Sequence, residues 1–306
     1  MASLNVRVRS YLPELAILAA SILYGATFAV VKDALESTTS SGFNVMRFTL
    51  GALVMFPFAL SQGWRGPSPR PSDTFWTLVR GSVALGAATA FAYQTQNLGL
   101  EQTTTSNSAF ITGLAAVFVP VFEAIWFRRF PRRGIYVALA MSLLGLFLLT
   151  GAESSLELGD VLTLCAAAAF GLWYVVVGGL VPRFQIVTLT AVQLTAVAFF
   201  SLLIVPFEGW GKIDCSVLIA VVFTGIGCSA VAFALSMWAQ RTIEPSRAGI
   251  LMLFEPIVAG IVGYAIGERL GLVGYMGAFM ILAGIVAVEI GTHRSRGEDR
   301  VPCTDS

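Results

Sequence analysis

The chain reads as long apolar blocks joined by short polar links. Ten blocks stand out, near residues 12–32, 41–61, 75–98, 104–127, 134–151, 158–179, 186–206, 215–238, 243–266 and 272–291. A helix needs about 20 mostly apolar residues to cross a bilayer, so the pattern predicts an all-α integral membrane protein of ten transmembrane helices. The longest link runs from Gln62 to Thr74 and is rich in proline (GWRGPSPRPSD). The polar start, MASLNVRVRS, leads straight into a full-length apolar block with no small-residue cleavage site, so the first block is expected to stay as a span. The tail 292–306 is polar and charged, and is expected to be disordered and cytoplasmic.

The two halves match each other. A shift of 146 lays Glu14–Val31 on Asp160–Val177, Gly25 on Gly171 and Arg47 on Gln193. A shift of 136 lays VFVP, ending at Pro120, on LFEP, ending at Pro256. A shift of 139 lays Tyr136 on Tyr275 and Gly145 on Gly284. Each half holds five blocks, and an odd number makes the second copy enter the membrane from the opposite side. The expected organisation is a five-helix repeat over 1–152 and an inverted copy over 153–291, an arrangement that marks many secondary transporters.

The ninth block interrupts its own apolar pattern with Glu255-Pro256. A carboxylate at mid-membrane costs at least a few kcal/mol and should face a partner or a wet cavity. Pro256 removes a backbone donor and bends the helix, leaving the Met252 carbonyl to be satisfied elsewhere. The alternative is a plain kink with a neutral glutamic acid packed in the bundle. Pro120, the match of Pro256, suggests paired bends that open one side while closing the other. Arg47 lies about 9 Å inside the end of the second block at 1.5 Å per residue. Its fork suits a carboxylate or phosphate; it could hold a substrate carboxylate, pair with Glu255, or snorkel to the interface. Gln193, its match, keeps polarity without charge.

Composition agrees with this reading: of 306 residues 56% are hydrophobic and 12% charged, with a mean hydropathy of +0.79. The net charge of +1 gives no reason to expect nucleic acid. Placement of charge says more. With the N-terminus inside, Lys32, Lys212 and Arg269 fall on the outer side and Arg47 within a span, while the remaining arginines, among them Arg183, Arg241 and Arg247, fall on the inner side. Positive charge concentrates in cytoplasmic links, so both termini are expected in the cytoplasm and the protein in the inner (plasma) membrane. Four scattered cysteines and one histidine make a disulfide framework or a metal site unexpected. No GxxxxGK[ST], HExxH or GxSxG occurs, so neither an ATP-driven engine, an enzyme nor a cofactor is expected.

Smaller signals point to the same interior. Ser82, Gly86, Ala90 and Gln94 share one helical face, a small-residue packing seam from which Gln94 projects, with Gln96 and Asn97 above it and Asn107 and Ser108 starting the next block. Together these could rim an outward-open cavity, or simply bond between helices. Tyr24 and Phe170 hold matching positions, and Trp173 follows Phe170 by one turn. If those blocks face each other, the cavity wall is aromatic. Glu123 reads as interfacial, with a gating role as the alternative, and Glu14, Asp160 and Glu289, near block ends, as solvated.

The motifs LYGATFAVVK at 23–32, SGFNVMRF at 41–48, TSNSAFITGLAAVFVP at 105–120, GDVLTLCAAAAFGLWY at 159–174, AFALSMWAQR at 232–241 and PSRAGILMLFEPIVAGIVGYAIGERL at 245–270 cover nearly the whole chain. In them the chain resembles drug/metabolite transporters of the EamA type. The resemblance implies ten helices, inverted repeats, a central cavity between them, and peripheral fifth and tenth helices. In the first half RRFPRR at 128–133 stands where the second half keeps Glu268-Arg269, which weakens any transport role for Glu268. The resulting expectation is a secondary transporter, monomeric or a weak homodimer, that exports a small molecule, with amino acids first. The alternative is proton-coupled export of hydrophobic cations.

Overall fold

The computed structural model describes residues 2–102, 105–128, 130, 133–150, 157–265 and 271–298. Its helices are α1 (Ala2–Leu35), α2 (Ser40–Gln62), α3 (Phe75–Leu100), α4 (Thr105–Gly113), α5 (Ala115–Phe127), α6 (Arg133–Thr150), α7 (Leu158–Leu180), α8 (Ile186–Leu202), α9 (Val205–Glu208) and α10 (Cys215–Val222), then a π-helical stretch Phe223–Ala232, α11 (Phe233–Ala239), α12 (Pro245–Met252), α13 (Phe254–Ala265) and α14 (Leu272–Glu298). Every expected block falls on one of these helices or on a consecutive set. Among the described residues eight stretches are long and apolar enough to cross a membrane; Arg133–Leu148 and Leu272–Ala287, at the fifth and tenth places, are shorter apolar helices. Helix α14 runs on to Glu298, so the tail begins as helix rather than as the disordered segment expected from 292. Glu268 and Arg269 lie outside the described residues.

Local chemistry sets the helix ends. Thr39 accepts a bond from the Gly42 N–H at 3.1 Å, Thr74 and Thr77 form a reciprocal capping box, and Asp214 accepts from the Val217 N–H at 2.9 Å. Each satisfies donors that a helix start leaves open. Pro245 opens α12, where its missing N–H is not needed.

Among the described residues, links that meet are ones that alternate crossing puts on the same side. At one end Thr38 pairs with Gly211, and Thr39 Oγ1 donates to the Gly209 carbonyl at 2.7 Å. At the other, Arg65 pairs with Phe184, Gly66 N–H donates to the Arg183 carbonyl at 2.9 Å, and Arg241 Nε donates to the Val181 carbonyl at 3.2 Å. This second, arginine-rich end also holds the ion pair between Asp73 and Arg183, with Nε 3.0 Å from Oδ1.

The Arg183 guanidinium holds the Asp73 carboxyl below its ordinary range, against a smaller opposing effect of burial. A lowered folded-state value means the pair's stabilisation is present above the unfolded carboxylate value of about 3.9 and is lost as pH falls through the folded value. Asp73→Asn should therefore lower the melting temperature at neutral pH and flatten the acid limb of the melting profile below about pH 4. A melting series from pH 3 to 7 in detergent checks this; an unchanged acid limb refutes it.

The packing is reciprocal. Helix α6 lies against α14 and α2 against α8; α1 packs on α12 and α13 as α7 packs on α4 and α5, and α1 meets the π-helical stretch and α11 as α7 meets α3. Glycines mark where helix backbones touch. A Cβ at Gly145 would lie 2.6 Å from the Gly277 carbonyl oxygen, and one at Gly284 would lie 2.8 Å from that of Ala138. Gly86 is packed on the Gln193 carbonyl and Gly225 on the Arg47 carbonyl, each 2.9 Å from such a Cβ. Small residues let helices approach this closely without a hydrophobic force between them.

Candidate functional site

Two helix breaks face each other inside the bundle. Between α4 and α5 the chain turns at Leu114 (φ −62°, ψ −11°), and between α12 and α13 at Leu253 (φ −63°, ψ −3°). In both, an N–H bonds three residues back rather than four, Leu114 to Ile111 at 3.0 Å and Leu253 to Ile250 at 3.1 Å. Pro256 supplies the cause at the second break, because it cannot donate into the turn before it. A Cβ on Gly113 would touch Leu253 at 3.3 Å and Pro256 at 3.4 Å, so the breaks are in contact.

The break does not fall at Pro120. That residue is buried inside α5, six positions past Leu114 and off the cavity wall. Glycine contacts give the register: Gly25 sits on the Glu255 carbonyl (2.6 Å to a Cβ) and Val258, while Gly171 sits on the Ala115 carbonyl (3.1 Å) and Phe118. Glu255 therefore answers to Ala115, an offset of 140. The VFVP/LFEP match, at 136, is out of register, because two prolines in similar apolar runs align by composition alone.

Around the breaks lies a cavity whose empty space, with the open solvent at its mouth included, is about 860 Å³. Its wall carries Glu255, Pro256, Arg47, Tyr24 and Trp173 from the expected set, together with Gln96 and Asn97. Tyr93, Tyr174, Phe170 and Phe233 complete an aromatic box: Tyr93 lies 5.1 Å from Phe170, Trp173 5.3 Å from Phe233, and Tyr24 5.9 Å from Phe233. Thr27 and Thr112 also line it; a single threonine in an apolar run gives no sequence signal, and Tyr93 is distinguished from the lipid-facing Phe91 (53% exposed) only by helical phase.

Glu255 is half-buried and aimed into the cavity. Arg47 is 2% exposed, with its guanidinium carbon 4.8 Å above the Phe48 ring and 4.7 Å above the Tyr93 ring. Its Nε donates to Ser229 Oγ at 3.4 Å. Ser229 belongs to the π-helical stretch, whose wider turn is a frequent feature of functional helices. Among the described residues no carboxylate lies within 4 Å of Arg47, so it does not pair with Glu255.

Two more of the expected residues lie elsewhere. Gln94 reaches the end opposite the arginine-rich one, where Nε2 donates to Glu208 at 2.5 Å and Oε1 accepts from Ser40 at 3.3 Å. Gln193 is buried against α3 and donates to Thr89 Oγ1 at 3.1 Å. Both are bonded between helices and absent from the cavity wall. The side chain of Asn107 lies outside the described residues.

Two of the charges expected in water are not there, and the side chain of Glu289 lies outside the described residues. Glu14 is 6% exposed and Asp160 6% exposed. Arg247 sits within the membrane-length stretch Pro245–Ala265 rather than in a link, and its Nη2 meets Glu14 Oε1 at 2.6 Å. Glu123 is not simply interfacial either; it accepts from the Ser246 N–H at 3.2 Å and from the Ser246 hydroxyl.

The comparisons with known proteins accord with this geometry. A solved crystal structure superposes with a TM-score of 0.73 at 18% identity, covering 92% of this chain and 98% of that one. An uncharacterized transporter of Archaeoglobus fulgidus is 27% identical over 92% of this chain and 87% of its own length. The uncharacterized inner membrane transporter YedA of Escherichia coli K12 is 24% identical, with 94% of each chain covered. The model of the EamA-like transporter family matches twice, over residues 12–151 and 157–290. With a helical bundle, a central cavity and family matches over nearly its full length, this chain belongs to the EamA-like transporter family and is a multi-pass membrane transporter.

Proposed function

We propose that the protein exports amino acids, favouring aromatic and other hydrophobic side chains, by alternating access of two inverted five-helix halves. One observation carries the substrate reading. A carboxyl (Glu255) and a guanidinium (Arg47) line one aromatic cavity, and neither has an ionic partner among the described residues. Lone charges buried in a membrane are costly unless something neutralises them. A zwitterion does so at both ends: its ammonium on Glu255, its carboxylate on the Arg47 fork, its side chain against the aromatic rings. The two family matches and the reciprocal glycine contacts support the repeat. Both termini are then cytoplasmic, with the arginine-rich end facing inward.

The aromatic box also favours a second reading, export of hydrophobic cations with Glu255 as the exchangeable acid, since aromatic faces attract cations. Purified protein in liposomes, loaded with labelled phenylalanine, leucine or a lipophilic cation, with and without a pH gradient, separates the two. Efflux of the amino acids above empty liposomes supports the first reading. Efflux of the cation alone replaces it with the second.

A further inference from the structure

We propose that the Glu14–Arg247 ion pair is a latch that holds the arginine-rich end of the cavity shut, and that its breaking opens that end. The first turn of α12 is tied on both sides. Ser246 is held by Glu123 of α5, and Arg247 by Glu14 of α1. Within about two turns of that point along the same helix, Gly249, Met252 and Leu253 already line the cavity. The two acids therefore close the passage at its floor, and α1 cannot part from α12 there while Glu14 keeps Arg247.

The pair is suited to latching because it is dry. The side chains are 4% and 7% exposed, so salt screens them little. Separating them in place would leave a buried charge alone, whereas opening the end to water rehydrates both. The pair thus favours two states, closed and fully open, over anything between.

The acid is repeated in the other half, as Asp160, which accepts from the Glu157 N–H at 3.2 Å. The offset of 140 between Glu255 and Ala115 puts Asn107 at the sequence position that answers to Arg247. The charge of the pair thus differs between the two halves, and the latched end is the arginine-rich one.

The test reads accessibility and needs no substrate, so it stands apart from the amino-acid reading. Cys165, Cys215, Cys228 and Cys303 are replaced by Ser and a reporter is placed by Met252→Cys on the cavity wall. Membrane-impermeant thiol reagent is then applied to right-side-out and inside-out vesicles. Arg247→Gln should raise labelling from the arginine-rich side by about tenfold or more relative to the other side. The double exchange Glu14→Arg with Arg247→Glu should return the ratio towards that of the parent, in which Glu14 and Arg247 are intact. If Arg247→Gln is not monodisperse in detergent, Glu14→Gln carries the same expectation. A side-to-side ratio unchanged in a folded single variant overturns the proposal, as does a double exchange that labels like the single variant.

Discussion

Arg47→Gln is expected to abolish amino-acid efflux while leaving efflux of a lipophilic cation in place. A charge-assisted hydrogen bond contributes about 1.5–3 kcal/mol, and the guanidinium fork can make two to one carboxylate. Losing both should raise KM for amino acids by about a hundredfold or more. The substitution suits the bundle, because Gln193, at the matching position of α8, is already a buried amide. Glu255→Gln should act differently. It leaves the carboxylate end of an amino acid bound, and it should abolish cation efflux and the response of any remaining efflux to a pH gradient. Liposome efflux of both substrates by both variants is the measurement. Wild-type transport of amino acids by Arg47→Gln and of cations by Glu255→Gln would remove these two residues from the site.

Gly25→Ala should be among the most damaging of the conservative changes. The new methyl would lie 2.6 Å from the Glu255 carbonyl oxygen and 2.7 Å from Val258 Cβ. A backbone oxygen and a Cβ cannot swing aside, so α1 must back away from α13. Overpacking of this kind costs about 1–3 kcal/mol, and here it also moves the backbone that carries Glu255. Gly134→Ala is the control, since nothing lies within 4 Å of a Cβ there and alanine favours helix over glycine. A melting temperature lowered by several degrees in Gly25→Ala, with Gly134→Ala unchanged or raised, is the expected outcome. Equal melting temperatures would show that α1 is not pressed against α13 as the distances require.

The reach of the sequence differed from residue to residue. Glu255-Pro256 stood out because a charge and a missing donor are rare in an apolar run, and both line the cavity. Tyr24 and Trp173 were legible by pairing the first blocks of the two halves. Gln94 and Gln193 were equally conspicuous as polar residues, yet their partners, Glu208 and Thr89, lie on other helices. A polar group in lipid must bond somewhere, and its own helix does not say where. Glu14 and Arg247 misled for the same reason. Near the ends of apolar blocks both look hydrated, and only the packing of α1 on α12 shows that they bury each other.

What the sequence settled by itself was what each helix must be: where apolar runs of membrane length begin and stop, and where proline and an acid interrupt one. Those are properties of consecutive residues in a solvent that forbids unsatisfied backbone, so the chain states them directly. Which helix faces which, the register that answers Glu255 with Ala115 rather than setting Pro256 on Pro120, and the separation of Arg47 from Glu255 came only from the tertiary structure. They depend on backbones meeting at Gly25, Gly171, Gly145 and Gly284, and a contact between surfaces far apart in the chain leaves no period in either of them.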